Sequence, residues 1–218
     1  MATLRSDTEV VRELLDRAGR TYARDAEITL KDTPEPLFQL LVLAMLLSAR
    51  ISAEIATQAA RELFAAGWRT PESMVRAPRG QVIAALKRGR YSRYDESTAT
   101  RLRKAAERVR DEYDGDLRGL AERSGHDEKA AARLLQEFDG IGPVGAEIFL
   151  REVQDTWTWL RPHLDERTLA GATELQLPRD PDALTELAGA SEMAPLAAAL
   201  VRVTLDSKLR DEVLAAPG

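Results

Sequence analysis

Apolar side chains recur at helical spacing along almost the whole chain. In residues 7–24, and again in residues 52–66, they return every three or four positions, as the buried face of an α-helix requires. Residues 37–49 are apolar on nearly every face, which predicts a central helix with residues 40–47 in the core. No stretch alternates cleanly between apolar and polar residues, as a half-buried strand does. The pattern predicts an all-α protein.

Signals at helix ends divide this pattern into elements. Asp7 is the expected N-cap of the first helix, and Pro143 suits the first turn of a later one. A long helix rich in basic residues is predicted over residues 94–113, and another helix over residues 126–138. Residues 193–216 are predicted to form one final long helix.

Composition excludes several kinds of site. The 218 residues suffice for one large domain or two lobes, and they include no cysteine, which excludes disulfides, thiolate metal sites and an iron–sulfur cluster. The two histidines, His126 and His163, cannot form a His-rich metal site by themselves. We therefore expect no cofactor and no metal. Since no apolar run is long enough to cross a bilayer and no signal peptide is visible, we also expect a cytoplasmic protein with no membrane partner. The net charge of −5 argues mildly against indiscriminate nucleic-acid binding, but it is compatible with a local basic face.

Three glycines in residues 138–147, FDGIGPVGAE, have the spacing of a dinucleotide-binding loop. Such a loop requires a buried strand before its first glycine. Leu134, Leu135 and Phe138 instead occupy helical positions, so the segment is interpreted as a tight hairpin between two helices. Glycine permits left-handed backbone angles and close approach, and the helix after the turn offers free N–H groups to an anion. A nucleic-acid phosphate is a natural anion for such a turn.

The residues around this turn resemble the helix–hairpin–helix of the DNA glycosylase superfamily typified by endonuclease III. That family's hairpin reads roughly Leu-Pro-Gly-Val/Ile-Gly-x-x-Thr/Ala-Ala. Gly140, Ile141, Gly142 and Ala146 match it, while Phe-Asp replaces the usual Leu-Pro. The resemblance extends over residues 37–177, through a core helix ending in Leu-Ser-Ala, a Gly-x-Tyr turn and an aspartate before a helix.

The resemblance implies two helical lobes with an active-site cleft between them. One lobe would comprise residues 35–157, with the helix–hairpin–helix at about residues 129–153. The second would combine residues 1–34 with residues 158–218 and would carry the family's catalytic aspartate.

That aspartate corresponds to Asp165. Hydrolysis of an N-glycosidic bond develops positive charge on the sugar, which an ionised carboxylate stabilises; the same group can orient or deprotonate the attacking water. Taken alone, the sequence around Asp165 favours a simple N-cap of the following helix. With the family resemblance we expect both roles together, because the family's aspartate also lies at a helix start.

Departures from the family pattern bear on the chemistry. Bifunctional members carry a lysine nucleophile where this chain has Val144, so the resemblance implies a monofunctional glycosylase without lyase activity. The family's gap-filling glutamine and apolar wedge correspond to Arg50 and Arg90, which can stack and hydrogen-bond on bases but would equally suit a solvated surface. The expected DNA-binding residues are Gly140, Ile141, Gly142, Val144, Gly145, Arg50, Arg90, Tyr91 and Arg93.

A basic segment over residues 87–110 allows two interpretations. It could be a face that follows DNA phosphates, or a solvated helix face paired with nearby Asp and Glu. Because the segment accompanies the hairpin, the DNA interpretation is preferred.

The leading hypothesis is a monomeric base-excision repair glycosylase acting on damaged or mismatched double-stranded DNA, nucleoid-associated if bacterial. The alternatives are a catalytically inactive relative that binds distorted or damaged DNA, and a helical protein whose hairpin packs against another protein. The sequence does not define the base.

Overall fold

The computed structural model describes residues 6–216 of the chain. Within them every regular element is a helix and no strand occurs, which confirms the predicted all-α class. In chain order the helices are α1 (Asp7–Ala18), α2 (Tyr22–Asp25), α3 (Pro34–Leu47), α4 (Ala53–Ala65), α5 (Pro71–Arg76), α6 (Arg79–Arg88), α7 (Asp95–Glu112), α8 (Arg118–Arg123), α9 (Glu128–Gln136), α10 (Pro143–Val153), α11 (Glu166–Glu174), α12 (Pro181–Ala188), α13 (Met193–Val203) and α14 (Ser207–Ala215), with a short 3-10 helix at Thr158–Leu160.

The described chain divides into two compact units. The central unit is Tyr22–Leu150, and the terminal unit combines residues 6–21 with residues 151–216. The division falls within α10, so most of this helix belongs to the central unit and its last residues to the terminal unit. The lobe limits that the family resemblance implies stay a prediction.

α3 forms the core of the central unit. Residues 37–46 are all buried, which follows from the lack of a polar face on this helix. α4 packs against α3 and α6 packs against α4. At Gly89, directly after α6, a Cβ would lie 2.4 Å from the Cα of Ala59 in α4, so only glycine permits this approach. The α3–α4–α6 packing thereby places the Gly-x-Tyr turn.

The terminal unit has a second core, built from α1 and α11 to α14. α11 packs against α13, and a Cβ on Gly171 of α11 would lie 2.1 Å from the carbonyl oxygen of Leu200. α1 lies against α12, α13 and α14, where it buries Val11 and Leu14. No single helix in residues 6–216 is long and apolar enough to span a bilayer, and α12 with α13 reaches that length and composition only as a pair bent by 110°.

The start of α1 differs from the prediction. Ser6, rather than Asp7, is the N-cap: its hydroxyl accepts a hydrogen bond from the Glu9 N–H at 3.4 Å. The Glu9 carboxylate in turn accepts from the Ser6 N–H at 2.8 Å. This reciprocal pair is a capping box, which places Asp7 at the first helical position, where its negative charge suits the helix dipole. The helix ends at Ala18, because Gly19 caps it and α2 starts separately.

The single final helix predicted over residues 193–216 is wrong, because two helices occupy it. The Asp206 carboxylate accepts hydrogen bonds from the backbone N–H groups of Lys208 and Leu209, at 2.9 and 3.2 Å, and so begins α14. Apolar periodicity continues through the break because both α13 and α14 contribute side chains to the same core. The capping aspartate is the sequence signal for the break. The short α8 also lies where the apolar pattern predicts no helix.

Candidate functional site

The predicted hairpin is formed by α9, a short turn and α10. Gly140 has a φ of +97°, a left-handed angle that favours glycine. The turn is closed by the Ile141 N–H, which donates to the Phe138 carbonyl at 2.9 Å, and by the Ala146 N–H, which donates to the Gly142 carbonyl at 3.0 Å. The side chains of Ile141 and Phe138 are buried beneath the turn, whereas Gly140 is half-buried and Gly142 is exposed.

The start of α10 presents backbone donors. Pro143, at the first helical position, has no N–H, and the N–H groups of Val144 and Gly145 have no acceptor among the described residues. The Val144 side chain is 55% exposed, which makes it unusual among the apolar residues of the chain. Free N–H groups and the positive end of the helix dipole favour an anion at this position.

α3 holds the hairpin from one side. The Ser48 hydroxyl donates to the Met45 carbonyl at 2.8 Å and lies 3.4 Å from the carbonyl oxygen of Gly140. A Cβ on Gly145 would lie 3.1 Å from Ile141 Cγ2 and 3.4 Å from Ser48 Cβ. The third glycine of the pattern therefore allows α10 to approach α3 closely.

α7 holds the hairpin from another side through its basic residues. Lys104 Nζ lies 3.1 Å from Asp139 Oδ2, and Arg101 Nε lies 3.7 Å from Asp139 Oδ1. Arg108 donates to the Glu137 carbonyl at 2.6 Å, and its guanidinium carbon lies 5.4 Å from the centre of the Phe138 ring. Asp139, which stands where the helix–hairpin–helix pattern has proline, thus has two cationic partners on α7.

A cavity of about 490 Å³ opens beside the hairpin within the central unit. It brings together six of the residues predicted to bind DNA, namely Arg50, Tyr91, Gly140, Gly142, Val144 and Gly145. The remaining lining residues include Ser48, which the sequence does not single out, and Tyr94 and Arg101, which belong to the basic segment over residues 87–110. Its lining contains two arginines and no acidic residue, and Arg50 is exposed without an ion-pair partner among the described residues. The cavity is therefore suited to an anionic ligand.

The other predicted DNA contacts lie in different surroundings. Arg93 is exposed and does not line the cavity; its guanidinium carbon lies 5.3 Å from the centre of the ring of Tyr94, which does. Arg90 has a left-handed φ of +65° and lines a separate groove with Arg61 and Arg88, rather than the hairpin cavity. Ile141 is buried beneath the turn.

Tyr91 forms part of the cavity floor. It is only 2% exposed, and its hydroxyl accepts a hydrogen bond from Thr98 Oγ1 at 3.4 Å. Burial raises the pKa of the Tyr91 hydroxyl, an effect that the Thr98 hydrogen bond opposes. Its position fits packing beneath a ligand better than stacking at an exposed surface.

Most of the basic segment over residues 87–110 is paired with acidic side chains. Lys87 Nζ lies 3.5 Å from Asp95, and Arg88 Nε lies 2.7 Å from Glu62. The further pairs are Arg101 and Lys104 with Asp139, Arg108 with Glu112 and Glu137, and Arg110 with Asp111. This arrangement favours an ion-paired helix face for most of the segment.

In the terminal unit, Asp165 is the N-cap of α11. Its Oδ1 atom accepts a hydrogen bond from the Thr168 N–H at 3.0 Å, and its carbonyl accepts from Thr168 Oγ1 at 2.6 Å. The second carboxylate oxygen, Oδ2, accepts from the guanidinium of Arg151. The two side chains are 14% and 9% exposed, respectively, so the ion pair is largely shielded from water.

A buried polar network surrounds this pair. The side-chain amide of Gln154 donates to the carbonyls of Arg151 and His163, at 3.0 and 3.2 Å, and its oxygen accepts from the His163 N–H at 2.9 Å. Asp155 accepts from Arg161 Nε at 2.8 Å and from the Ala194 N–H at the start of α13 at 2.9 Å. Burial raises the pKa of the Asp155 carboxyl, although these two partners oppose the shift. The network fixes the segment that precedes Asp165 and joins it to the start of α13.

Arg151, the ion-pair partner of Asp165, is a candidate site residue that the sequence does not single out. The sequence offers one signal: two charged residues, Arg151 and Glu152, interrupt the apolar positions of residues 148–153, and a charged residue that is buried needs a partner. The partner itself, Asp165, could not be read from periodicity. Among residues 6–216 no group of three or more His, Asp and Glu side chains is placed to hold a metal ion.

Comparisons with known proteins bear on the fold. No protein-family model and no curated protein matches the sequence. A solved non-covalent endonuclease III–DNA complex matches 90% of this chain and 85% of that chain, with a TM-score of 0.50 and 16% identity. A trapped covalent endonuclease III–DNA intermediate with an estranged adenine matches the same shares, 90% and 85%, with a TM-score of 0.47 and 16% identity. The chain therefore has an endonuclease III-like fold, as its sequence resemblance predicts.

Proposed function

We propose that this protein is a monofunctional DNA glycosylase that hydrolyses the N-glycosidic bond of a damaged or mismatched base. The observation that carries the proposal is the hairpin cavity, in which unpaired N–H groups of α10 lie beside two arginines. Arg50 has no ion-pair partner among the described residues, and Arg101 pairs with Asp139 at 3.7 Å. Such an arrangement suits a DNA phosphate. The similar solved structures are endonuclease III bound to DNA, which agrees with this ligand.

Asp165 is the proposed catalytic carboxylate. As the bond between base and sugar breaks, its electron pair leaves with the base and positive charge develops on the sugar. The Asp165 carboxylate stabilises that charge and accepts a proton from the water that attacks the sugar. The departing base takes up a proton, and an abasic site is left. Because Asp165 is the N-cap of α11, its carboxylate has a defined orientation.

Val144 is the reason for proposing a glycosylase without lyase activity. Strand cleavage by a lyase requires an amine that forms a Schiff base with the sugar. Val144 holds the position where the resemblance places that amine, and its exposed side chain has no nucleophile. The proposed product is therefore an abasic site in an intact strand.

A second candidate is a DNA-binding protein without catalytic activity. The specific observation in its favour is the ion pair between Asp165 and Arg151, because a neutralised carboxylate stabilises a cationic transition state poorly. In this alternative the hairpin cavity would still bind DNA at distorted or damaged sites.

One experiment separates the two candidates. The full chain is incubated with duplexes that carry uracil, hypoxanthine, alkylated, oxidised or mismatched bases, and the free base is measured by chromatography. The glycosylase proposal expects release from at least one duplex. DNA binding with no base released from any duplex would favour the inactive candidate, and the absence of duplex binding would contradict both.

A further inference from the structure

Arg151 carries a buried charge with one counter-ion. Its side chain is 9% exposed, and Asp165 is the only acceptor of its guanidinium among the described residues. A guanidinium has five N–H donors, so a purely structural arginine at such a site usually binds several acceptors. The guanidinium of Arg151 is therefore directed at one group, the carboxylate of Asp165.

Both oxygens of that carboxylate are engaged. Oδ1 accepts from the backbone N–H of Thr168 and Oδ2 accepts from Arg151. The Thr168 N–H contributes only a neutral dipole, whereas the Arg151 guanidinium contributes a full positive charge in direct contact with the carboxylate. The field that the ion pair presents to a sugar carrying positive charge is accordingly much weaker than that of a lone carboxylate.

We infer that Arg151 masks Asp165 and keeps base release below the rate that the carboxylate can support. The inference rests on the proposed function, because it concerns the same carboxylate. Arg151 is a positioning residue: it acts through Asp165 and need not contact the substrate. Release of Oδ2 by the guanidinium would restore the charge of the carboxylate while the Thr168 cap kept it in place.

The terminal unit contains a matched control. Arg161 also pairs with a partly buried aspartate, with its Nε 2.8 Å from Asp155 Oδ1 and its side chain 23% exposed. Asp155 bonds to the Ala194 N–H and has no proposed part in the reaction. Arg161→Gln therefore removes a comparable ion pair from the same unit while both contacts of the Asp165 carboxylate, with Thr168 and Arg151, are kept.

Binding of a cationic sugar analogue tests the masking directly. Duplexes with a protonated pyrrolidine or with a neutral tetrahydrofuran at an abasic position are compared by competition binding. We expect the wild type and Arg161→Gln to bind both within about threefold, and Arg151→Gln to prefer the cationic duplex by about tenfold or more. The preference should vanish in Arg151→Gln/Asp165→Asn. A wild-type preference as large as that of Arg151→Gln would overturn the inference.

Base release gives the second readout. Under single-turnover conditions Arg151→Gln should act about tenfold faster than the wild type, and Arg151→Lys, which keeps the charge, should stay near the wild type. Arg151→Met, which keeps most of the aliphatic volume, serves if Arg151→Gln does not fold, as judged by circular dichroism. An active wild type that is not accelerated by either neutral variant would contradict the masking and leave the proposed function standing. A silent wild type with an active Arg151→Gln would support the masking and contradict the proposed resting activity, and silence of all variants would contradict both.

Discussion

The Ser48 hydroxyl lies 3.4 Å from the carbonyl oxygen of Gly140, and it joins the end of the core helix α3 to the turn of the hairpin. Gly145 packs against the same serine, since a Cβ there would come within 3.4 Å of Ser48 Cβ. The hairpin turn that we propose binds DNA thus packs directly on the buried core helix of the central unit. Changes at its glycines should separate effects on folding from effects on binding.

Gly140→Ala should destabilise the protein, while Gly142→Ala should not. Gly140 has a φ of +97°, and an added Cβ would lie 2.8 Å from Arg101 Cδ. A Cβ on Gly142 would meet no atom within 4 Å, and its φ is not left-handed. We expect Gly140→Ala to lower the free energy of unfolding by roughly 1–2 kcal/mol in urea titrations. The matched Gly142→Ala should remain within about 0.5 kcal/mol of the wild type and weaken duplex binding, because its methyl group would lie in the cavity that we propose binds DNA. Equal stability losses would contradict this account of the turn.

Arg50 should contribute one phosphate contact. It lines the hairpin cavity without an ion-pair partner among the described residues, so it can neutralise a phosphate without first breaking a salt bridge. Arg50→Ala should reduce the slope of log K against log salt by about 1 between roughly 50 and 200 mM salt. The control is Arg110→Ala, because Arg110 lies further along α7 and pairs with Asp111. Identical salt slopes for Arg50→Ala and the wild type would remove Arg50 from the interface.

The fold could be predicted from the sequence where local chemistry decides the structure. The uninterrupted apolar surface of α3 requires burial, and the helical positions of Leu134 and Leu135 before the glycines exclude a strand. The break before α14 was not predicted, because apolar periodicity continues across a cap that depends on Asp206 alone. Periodicity thus identified the helices better than their boundaries.

Asp165→Asn should be strongly destabilising, and removal of Arg151 should reverse most of the loss. Asparagine still caps a helix, so the substitution chiefly leaves the buried Arg151 without its counter-ion. The expected cost is roughly 3–5 kcal/mol in the free energy of unfolding. The double variant Asp165→Asn/Arg151→Met should recover more than half of it. Additive losses in this double-mutant cycle would show that the two side chains are not coupled.

This coupling also affects how catalytic variants are compared. Loss of base release in Asp165→Asn alone could result from unfolding. Arg151→Met and Asp165→Asn/Arg151→Met both lack the arginine charge, so a comparison of the two isolates the effect of the carboxylate.

Asp155 should make stability depend on pH in the acidic range. Because burial raises the pKa of its carboxyl in the folded state, the protonated form is favoured by folding. Its contribution is therefore complete below the unfolded-state pKa, near pH 4, and is lost as pH rises through the higher folded-state pKa. The unfolding free energy of the wild type minus that of Asp155→Asn should decrease as pH rises from about 4 towards neutrality. A difference that grows over this range would contradict the sign of the shift.

The candidate site was only partly predictable for a related reason. Local spacing identified the glycines and the family resemblance added Val144, and the cavity places them with Arg50 and Tyr91. The pairing of Arg151 with Asp165 depends on the path of residues 152–164, in which Gln154 fixes the His163 backbone. No periodic pattern in the sequence specifies that path.

The most direct test of the central claim is strand integrity after reaction with an end-labelled duplex that carries the base released fastest. Samples are divided, and one half is heated with alkali before denaturing electrophoresis. The account predicts an intact strand without alkali and cleavage at the modified position with alkali, because Val144 supplies no amine. Cleavage without alkali, together with a covalent adduct trapped by borohydride, would contradict it, as would a strand that stays intact under both conditions for every duplex.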